Sequence, residues 1–348
     1  MKKFLDKDFL LSTKTAQDLY HNHAAKMPIY DFHNHLSAQE IYEDKKFEDI
    51  TEAWLKFDHY KWRALRSDGV DEHYITGDAT SYEKFEKWAE SMPNLFGNPL
   101  HHWTHLELQR YFDIHTPLNK NTAKEIYEEA NKKLQTDEFS VRNLLKMANV
   151  YALGTTDDPC DDLKYHRLLK EEGFEIKIMP TFRVDNIVNI QKPGYVPYIK
   201  RFEETVGYEI NTYADFEKAI KERLEFFYES GAQFSDHGLD EMLYMDATLD
   251  EIEEIFAKGK VGEELSRCEI SKYQGYVQRM LGREYARMGW VMQLHIGPMR
   301  NNNTRMFEQL GPDAGYDSMQ DREVAHGLSR FLDSLDKTNE LPKTILYN

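Results

Sequence analysis

Short apolar or β-branched runs recur along the chain, each followed by a charged stretch whose apolar positions return at helical spacing. That alternation predicts βα units, in which each helix covers the parallel strand it follows. Runs at 28–33, 150–155, 174–181, 232–236, 291–296 and 343–347 read as strands. Between the first two, the segment 37–149 carries helix signals and little strand, which predicts a helical insertion. Within it Ser81 precedes an amphipathic run, and Thr122-Ala-Lys-Glu125 has the spacing of a capping box. Thr212 opens a further helix that stops near Gly231, and another over 269–289 feeds the strand ending at His295. The predicted class is therefore α/β, as one (β/α)₈ TIM-like barrel domain over 1–348 with the insertion 37–149 after strand 1. About six strands are legible where such a barrel needs eight, so the C-terminal strands are expected to be missing.

Composition narrows the picture. Apolar residues make up 41% of the 348 positions and aromatics 13%, enough to predict a packed interior rather than disorder. With 44 Lys plus Arg against 61 Asp plus Glu, the formal charge of −17 argues against a nucleic-acid partner. An anionic small molecule would need a local arginine cluster. The two cysteines, Cys160 and Cys268, suggest neither a disulfide framework nor a thiolate metal site. Asp6 and Asp8 interrupt any signal-peptide core, and no run approaches a membrane span. A soluble cytoplasmic protein without a membrane partner is expected, and self-association as a homo-oligomer stays open.

The most telling chemistry lies in Pro28-Ile-Tyr-Asp-Phe-His-Asn-His-Leu36, an apolar strand ending in His-X-His. On a strand His33 and His35 share a face, with Cα atoms about 6.6 Å apart, and can converge on one ion at roughly 2.1 Å from each nitrogen. Two hydrogen-bonded loop histidines are the bland alternative. His295, at another strand end, can serve as a third ligand or bond the substrate. Asp236 can orient a ligand, act as a base or cap a helix, whereas capping is favoured for Asp157 and Asp158. In Asp58-His-Tyr-Lys-Trp-Arg63, Tyr60 can shuttle a proton and His59 can bind an anion, unless the run is merely a helix surface. Arg183 and Arg300, each just past a strand, can clamp a carboxylate or simply be solvated. His101 and His105 form an i,i+4 pair for which helix packing is favoured over a metal site. No nucleophile elbow, phosphate loop or dinucleotide fingerprint is present.

Taken together, these residues resemble uronate isomerase, also called glucuronate isomerase, of the amidohydrolase superfamily. The resemblance spans essentially the whole chain. It rests on Asp31-Phe-His-Asn-His35, Asp58-His-Tyr-Lys-Trp-Arg63, Asn98-Pro-Leu-His-His-Trp-Thr-His-Leu-Glu-Leu108, Gly154-Thr-Thr-Asp-Asp-Pro159, His295-Ile-Gly-Pro-Met-Arg-Asn-Asn-Asn303 and Leu341-Pro-Lys-Thr-Ile-Leu-Tyr-Asn348. It implies a distorted barrel of the metal-dependent hydrolase type that interconverts D-glucuronate with D-fructuronate and D-galacturonate with D-tagaturonate, as part of pentose and glucuronate interconversion. It further implies His33 and His35 as metal ligands, with Zn²⁺ the first choice and Mn²⁺ or another divalent ion the alternative. Tyr60, His295 and Asp236 match catalytic positions, the tyrosine as proton relay. His59, Arg183 and Arg300 match contacts to the hexuronate substrate. In the family an Asp on the last barrel strand, an Arg soon after it and a Trp from the preceding strand complete the site. All three are expected to lie beyond Asn348. Competing expectations are a metal-dependent hydrolase on the same scaffold, in which a bound hydroxide attacks an amide or ester, and an inactive truncated homologue.

Overall fold

The structure, a computed structural model, describes residues 3–347. Seven strands occur among them: β1 (Ile29–Asp31), β2 (Val150–Gly154), β3 (Lys177–Met179), β4 (Thr181–Arg183), β5 (Phe234–Leu239), β6 (Val291–Ile296) and β7 (Lys343–Tyr347). They form one sheet in the order β1-β2-β3 and another in the order β4-β5-β6-β7. The pairings of β2 with β3 and along β4 to β7 are parallel, as the alternation with helices predicts.

The run expected as one strand at 174–181 is divided into β3 and β4. Pro180 stands at the break, and its missing N–H removes a ladder donor there. The chain past β2 spans the gap: Thr155 donates its N–H to Met179 O at 3.0 Å, and Asp157 donates to Thr181 O at 3.1 Å. Asp157 and Asp158 do not cap the next helix, Lys164–Glu171, whose N-cap is Leu163 without a side-chain cap. Asp158 Oδ1 instead accepts from Cys160 N at 2.9 Å.

Two compact units are distinguished. One gathers the chain up to Tyr30 with Gln39–Tyr151 and Asn301–Asp317, and the other Asp31–Ala38, Ala152–Arg300 and the chain from Ser318 onward. The first is helical where the insertion was expected, with Phe85, Trp88, Met92, Leu108, Ile126 and Leu134 in its core. Thr80, rather than Ser81, caps the helix Ser81–Ser91 through a box with Glu83. The box expected at Thr122 is absent because Thr122 is already helical, at φ −103° and ψ −7°. Its hydroxyl donates to Pro117 O at 2.8 Å instead. His105 is a packed core histidine: its Nδ1 bonds His101 O at 2.7 Å and its Nε2 accepts from Leu118 N at 2.9 Å.

The second unit holds β3 to β7 and most of β2. β5 and β6 are buried along almost their whole length, as strands covered on both faces must be. The apolar face of the helix Tyr213–Glu229, which opens with a box between Thr212 and Asp215, packs Phe216, Ile220 and Leu224 into the core. The helix Arg267–Met288 adds Tyr273, Val277, Leu281 and Tyr285, and stops at Gly289 with φ +72°. Among the described residues no helix is long and apolar enough to cross a membrane.

Candidate metal centre

Strand register brings the site together. Arg183 on β4 pairs with Asp236 on β5, which pairs with Gln293 on β6. Two residues further along, Gly238 pairs with His295, and His295 with Tyr347 on β7. Side chains two apart on a strand share a face, so Arg183, Asp236, Gln293, His295 and Tyr347 project to the same side. His237 and Leu294 take the opposite side, where His237 is fully buried and its Nε2 lies 3.1 Å from Tyr285 Oη.

His33 reaches this face from the segment after β1. The strand ends at Asp31, so His33 and His35 sit on irregular backbone rather than on the strand expected to carry them. Their rings are edge to face with centroids 5.2 Å apart. Hydrogen bonds hold the segment. Phe32 O accepts from Gln293 Nε2 at 3.1 Å, and Asn34 N donates to Gly154 O at 3.0 Å. Thr156 Oγ1 donates to Asn34 O at 2.7 Å, and Leu36 N to Asn34 Oδ1 at 3.0 Å. The approach is tight at Gly154, where a Cβ would stand 3.1 Å from Phe32 O and from Thr181 Oγ1.

Among the described residues, one group of His, Cys, Asp or Glu side chains converges as a metal site would: ligand atoms of His33, Asp236 and His295 all lie within 4.8 Å of one another. His33 Nδ1, Asp236 Oδ1 and His295 Nε2 are buried without a hydrogen-bond partner. Asp236 Oδ1 and His295 Nε2 stand 3.1 Å apart without hydrogen-bond alignment. Buried polar atoms left in this way are costly, and a cation among two imidazoles and a carboxylate would satisfy all three. The donor set therefore fits a divalent ion.

The electrostatics agree with that donor set. Burial lowers the His33 pKa to about 4, against the pull of the Asp236 charge, so the ring is neutral and its lone pair free near pH 7. Burial alone would raise the Asp236 carboxyl, but His295, Arg183 and His33 together hold it below the usual range. Arg183 Nε donates to Asp185 Oδ2 at 2.9 Å and lies 3.7 Å from Asp236 Oδ2. Asp185 also accepts from Gly238 N, at 2.6 Å, so the guanidinium is anchored from behind.

The structure thus assembles four of the residues singled out in the sequence: His33, Asp236, His295 and Arg183. His35 neighbours the cluster through His33 but is not one of its three converging ligands. Arg300 follows β6 in the same compact unit. His59 and Tyr60 belong to the helical unit, on the helix His59–Ser67, with rings stacked 4.5 Å apart. Asp185, Gln293 and Tyr347 escaped the sequence reading. Their signal was parity, since each lies two residues from a residue singled out or pairs with one in register.

The glucuronate isomerase family profile matches residues 1–348. The chain belongs to that family. It is 53% identical over 348 residues to the uronate isomerase of Caldanaerobacter subterraneus subsp. tengcongensis, covering 100% of this chain and 75% of that relative. It is 52% identical over 349 residues to the uronate isomerase of Caldicellulosiruptor bescii, again covering 100% and 75%. The crystal structure of the uronate isomerase from Thermotoga maritima superposes with a TM-score of 0.94 at 36% identity, over 99% of this chain and 76% of that one. The glucuronate isomerase of Caulobacter crescentus, at 24% identity, shares the fold with a TM-score of 0.87 over 93% of this chain and 68% of its own. The α/β class read from the sequence is thus the class of the family's solved members.

Proposed function

We propose that the chain interconverts D-glucuronate with D-fructuronate and D-galacturonate with D-tagaturonate, using a divalent metal held by His33, Asp236 and His295. The observation that carries this reading is the convergence of those three ligand atoms within 4.8 Å in a member of the glucuronate isomerase family. Zn²⁺ suits two imidazoles and a carboxylate, and Mn²⁺ is the alternative. His35, edge-on to His33, is proposed as a further donor. Asp236 and His295 keep a catalytic part in this scheme, as ligands.

An aldose–ketose isomerisation removes a proton from C2, delivers one to C1 and moves a proton between the two oxygens. The metal, when bound, would polarise the sugar oxygens and acidify the C2 proton. Arg183, held by Asp185, is proposed as a contact to the substrate carboxylate, and Arg300 as a second anion contact. His59 and Tyr60 enter from the sequence reading, as an anion contact and as the relay that carries the proton between C2 and C1. With free Cys160 and Cys268, and no membrane-spanning helix among the described residues, a cytoplasmic location is proposed.

The test is to incubate chelator-treated protein with D-glucuronate in D₂O, with and without added Zn²⁺ or Mn²⁺, and to follow the sugar by NMR. Metal-dependent formation of the ketose is expected. Hydrolysis of lactones or amides with glucuronate left unchanged would replace the isomerase reading by a hydrolase, and no turnover with any metal would leave an inactive homologue.

A further inference from the structure

We propose that Gln293 and Tyr347 are positioning residues, which hold the His33 and His295 imidazoles in the orientation that binds a divalent cation. The inference rests on reading His33, Asp236 and His295 as a metal centre and deepens it. Gln293 is completely buried in β6 and sits in register with Asp236. Its one rigid amide serves two elements. Nε2 donates to Phe32 O at 3.1 Å, directly before His33, and Oε1 accepts from Tyr347 Oη at 2.6 Å. Tyr347, so tethered, lies flat on His295 with ring centroids 4.0 Å apart and planes 9° apart. Its centroid is also 5.8 Å from that of His33.

Each contact has a consequence for a ligand. An imidazole lone pair lies in the ring plane, so a ring stacked on its face fixes the direction of that lone pair without occupying a nitrogen. The bond to Phe32 O sets the backbone from which the His33 ring projects. A buried amide costs desolvation that a leucine of similar volume would avoid, so packing alone does not account for Gln293. Its use is directional: one side chain couples the two imidazoles, which come from chain segments more than two hundred and fifty residues apart. Groups behind a metal site that orient its ligands typically change affinity by about 10-fold or more when removed.

The test uses the full chain, stripped with chelator, and three variants: Gln293→Met, Tyr347→Leu and Tyr347→Phe. Zn²⁺ affinity is measured by competition with a chromophoric chelator, ligand geometry by the visible spectrum of the Co²⁺ form, and fold by the melting temperature of the metal-free protein. Gln293→Met and Tyr347→Leu are expected to raise the Zn²⁺ Kd by about 10-fold and to shift the Co²⁺ bands. Tyr347→Phe keeps the stack and loses the tether, so its Kd should rise by less and its spectrum should return toward that of the wild type. Wild-type Kd and Co²⁺ spectra in both Tyr347 variants would overturn the inference, and these variants carry the test alone if Gln293→Met fails to fold. A wild-type chain that takes up no Zn²⁺ or Co²⁺ would instead overturn the metal centre itself.

Discussion

Asp157 shows how a single buried carboxyl can set a pH window. Burial pushes its pKa up to about 6, against the hydrogen bonds it accepts from Thr155 Oγ1 and Thr181 N. Burial lowers neighbouring His166 to about 4, so that ring is neutral near pH 7. Thr155 Oγ1 lies 2.6 Å from Asp157 Oδ2 and 2.8 Å from His166 Nε2, so a chain of donation runs from His166 through Thr155 to Asp157. Because the folded pKa lies above the unfolded value of about 3.9, the folded chain binds the proton more tightly. The resulting stabilisation is full below pH 4 and is lost as pH rises toward 6. Lowered histidines such as His166 contribute the opposite slope, stability that rises with pH over the same window, so Asp157→Asn should remove only the falling part and leave a melting temperature that gains more between pH 4 and 6 than the wild type's, by the equivalent of about 2 kcal/mol. An unchanged slope across that window would show that Asp157 does not titrate there. At the proposed metal centre, His33→Ala and His295→Ala should each lose tight Zn²⁺ binding, measured as metal bound per chain after gel filtration, whereas His101→Ala should retain it.

Elements carry different information from residues. The strand runs were legible because buried parallel strands are continuous apolar stretches, and helix ends were legible where a hydroxyl stands three residues before an acid. Thr212 fulfils that pattern, and Thr212→Ala should cost about 1 kcal/mol in urea unfolding. Thr122 has the same spacing and no cap, because the chain before it is held by the Thr122 bonds to Pro117 O and from Asn119 N. The difference is conformational, so spacing could not reveal it. Likewise β1 stops at Asp31, two residues before the first histidine, since beyond it the backbone bonds to Gly154, Thr156 and Gln293 instead of continuing a ladder. Gly154→Ala tests that arrangement. The added Cβ would press on Phe32 O, and we expect a destabilisation of about 1–3 kcal/mol together with weaker Zn²⁺ binding. Normal stability and normal affinity would show that the segment carrying His33 accommodates the methyl group.

At the scale of the whole molecule, the proposed metal centre would link metal binding to folding. A cation bound by the folded chain and not by the unfolded one stabilises it by about 2.7 kcal/mol at a free concentration 100 times Kd. Zn²⁺ should therefore raise the melting temperature of the chelator-treated chain and leave that of His33→Ala or His295→Ala unmoved. A wild-type midpoint indifferent to Zn²⁺ would argue that the three ligand atoms do not act together. From the order of residues alone came the βα alternation, the helical segment between the first two strands, the family, and four of the residues gathered at the candidate site: His33, Arg183, Asp236 and His295. These are local properties, set by side-chain periods of 2 and 3.6 and by motifs a few residues long. Folding was needed to choose among them: to set Asp236 beside His295, to bring His33 to both, to leave His35 outside the three, and to enlist Gln293 and Tyr347. The reason is that a strand's own alternation decides which side chains share a face, whereas the register between strands far apart in sequence decides which of them meet.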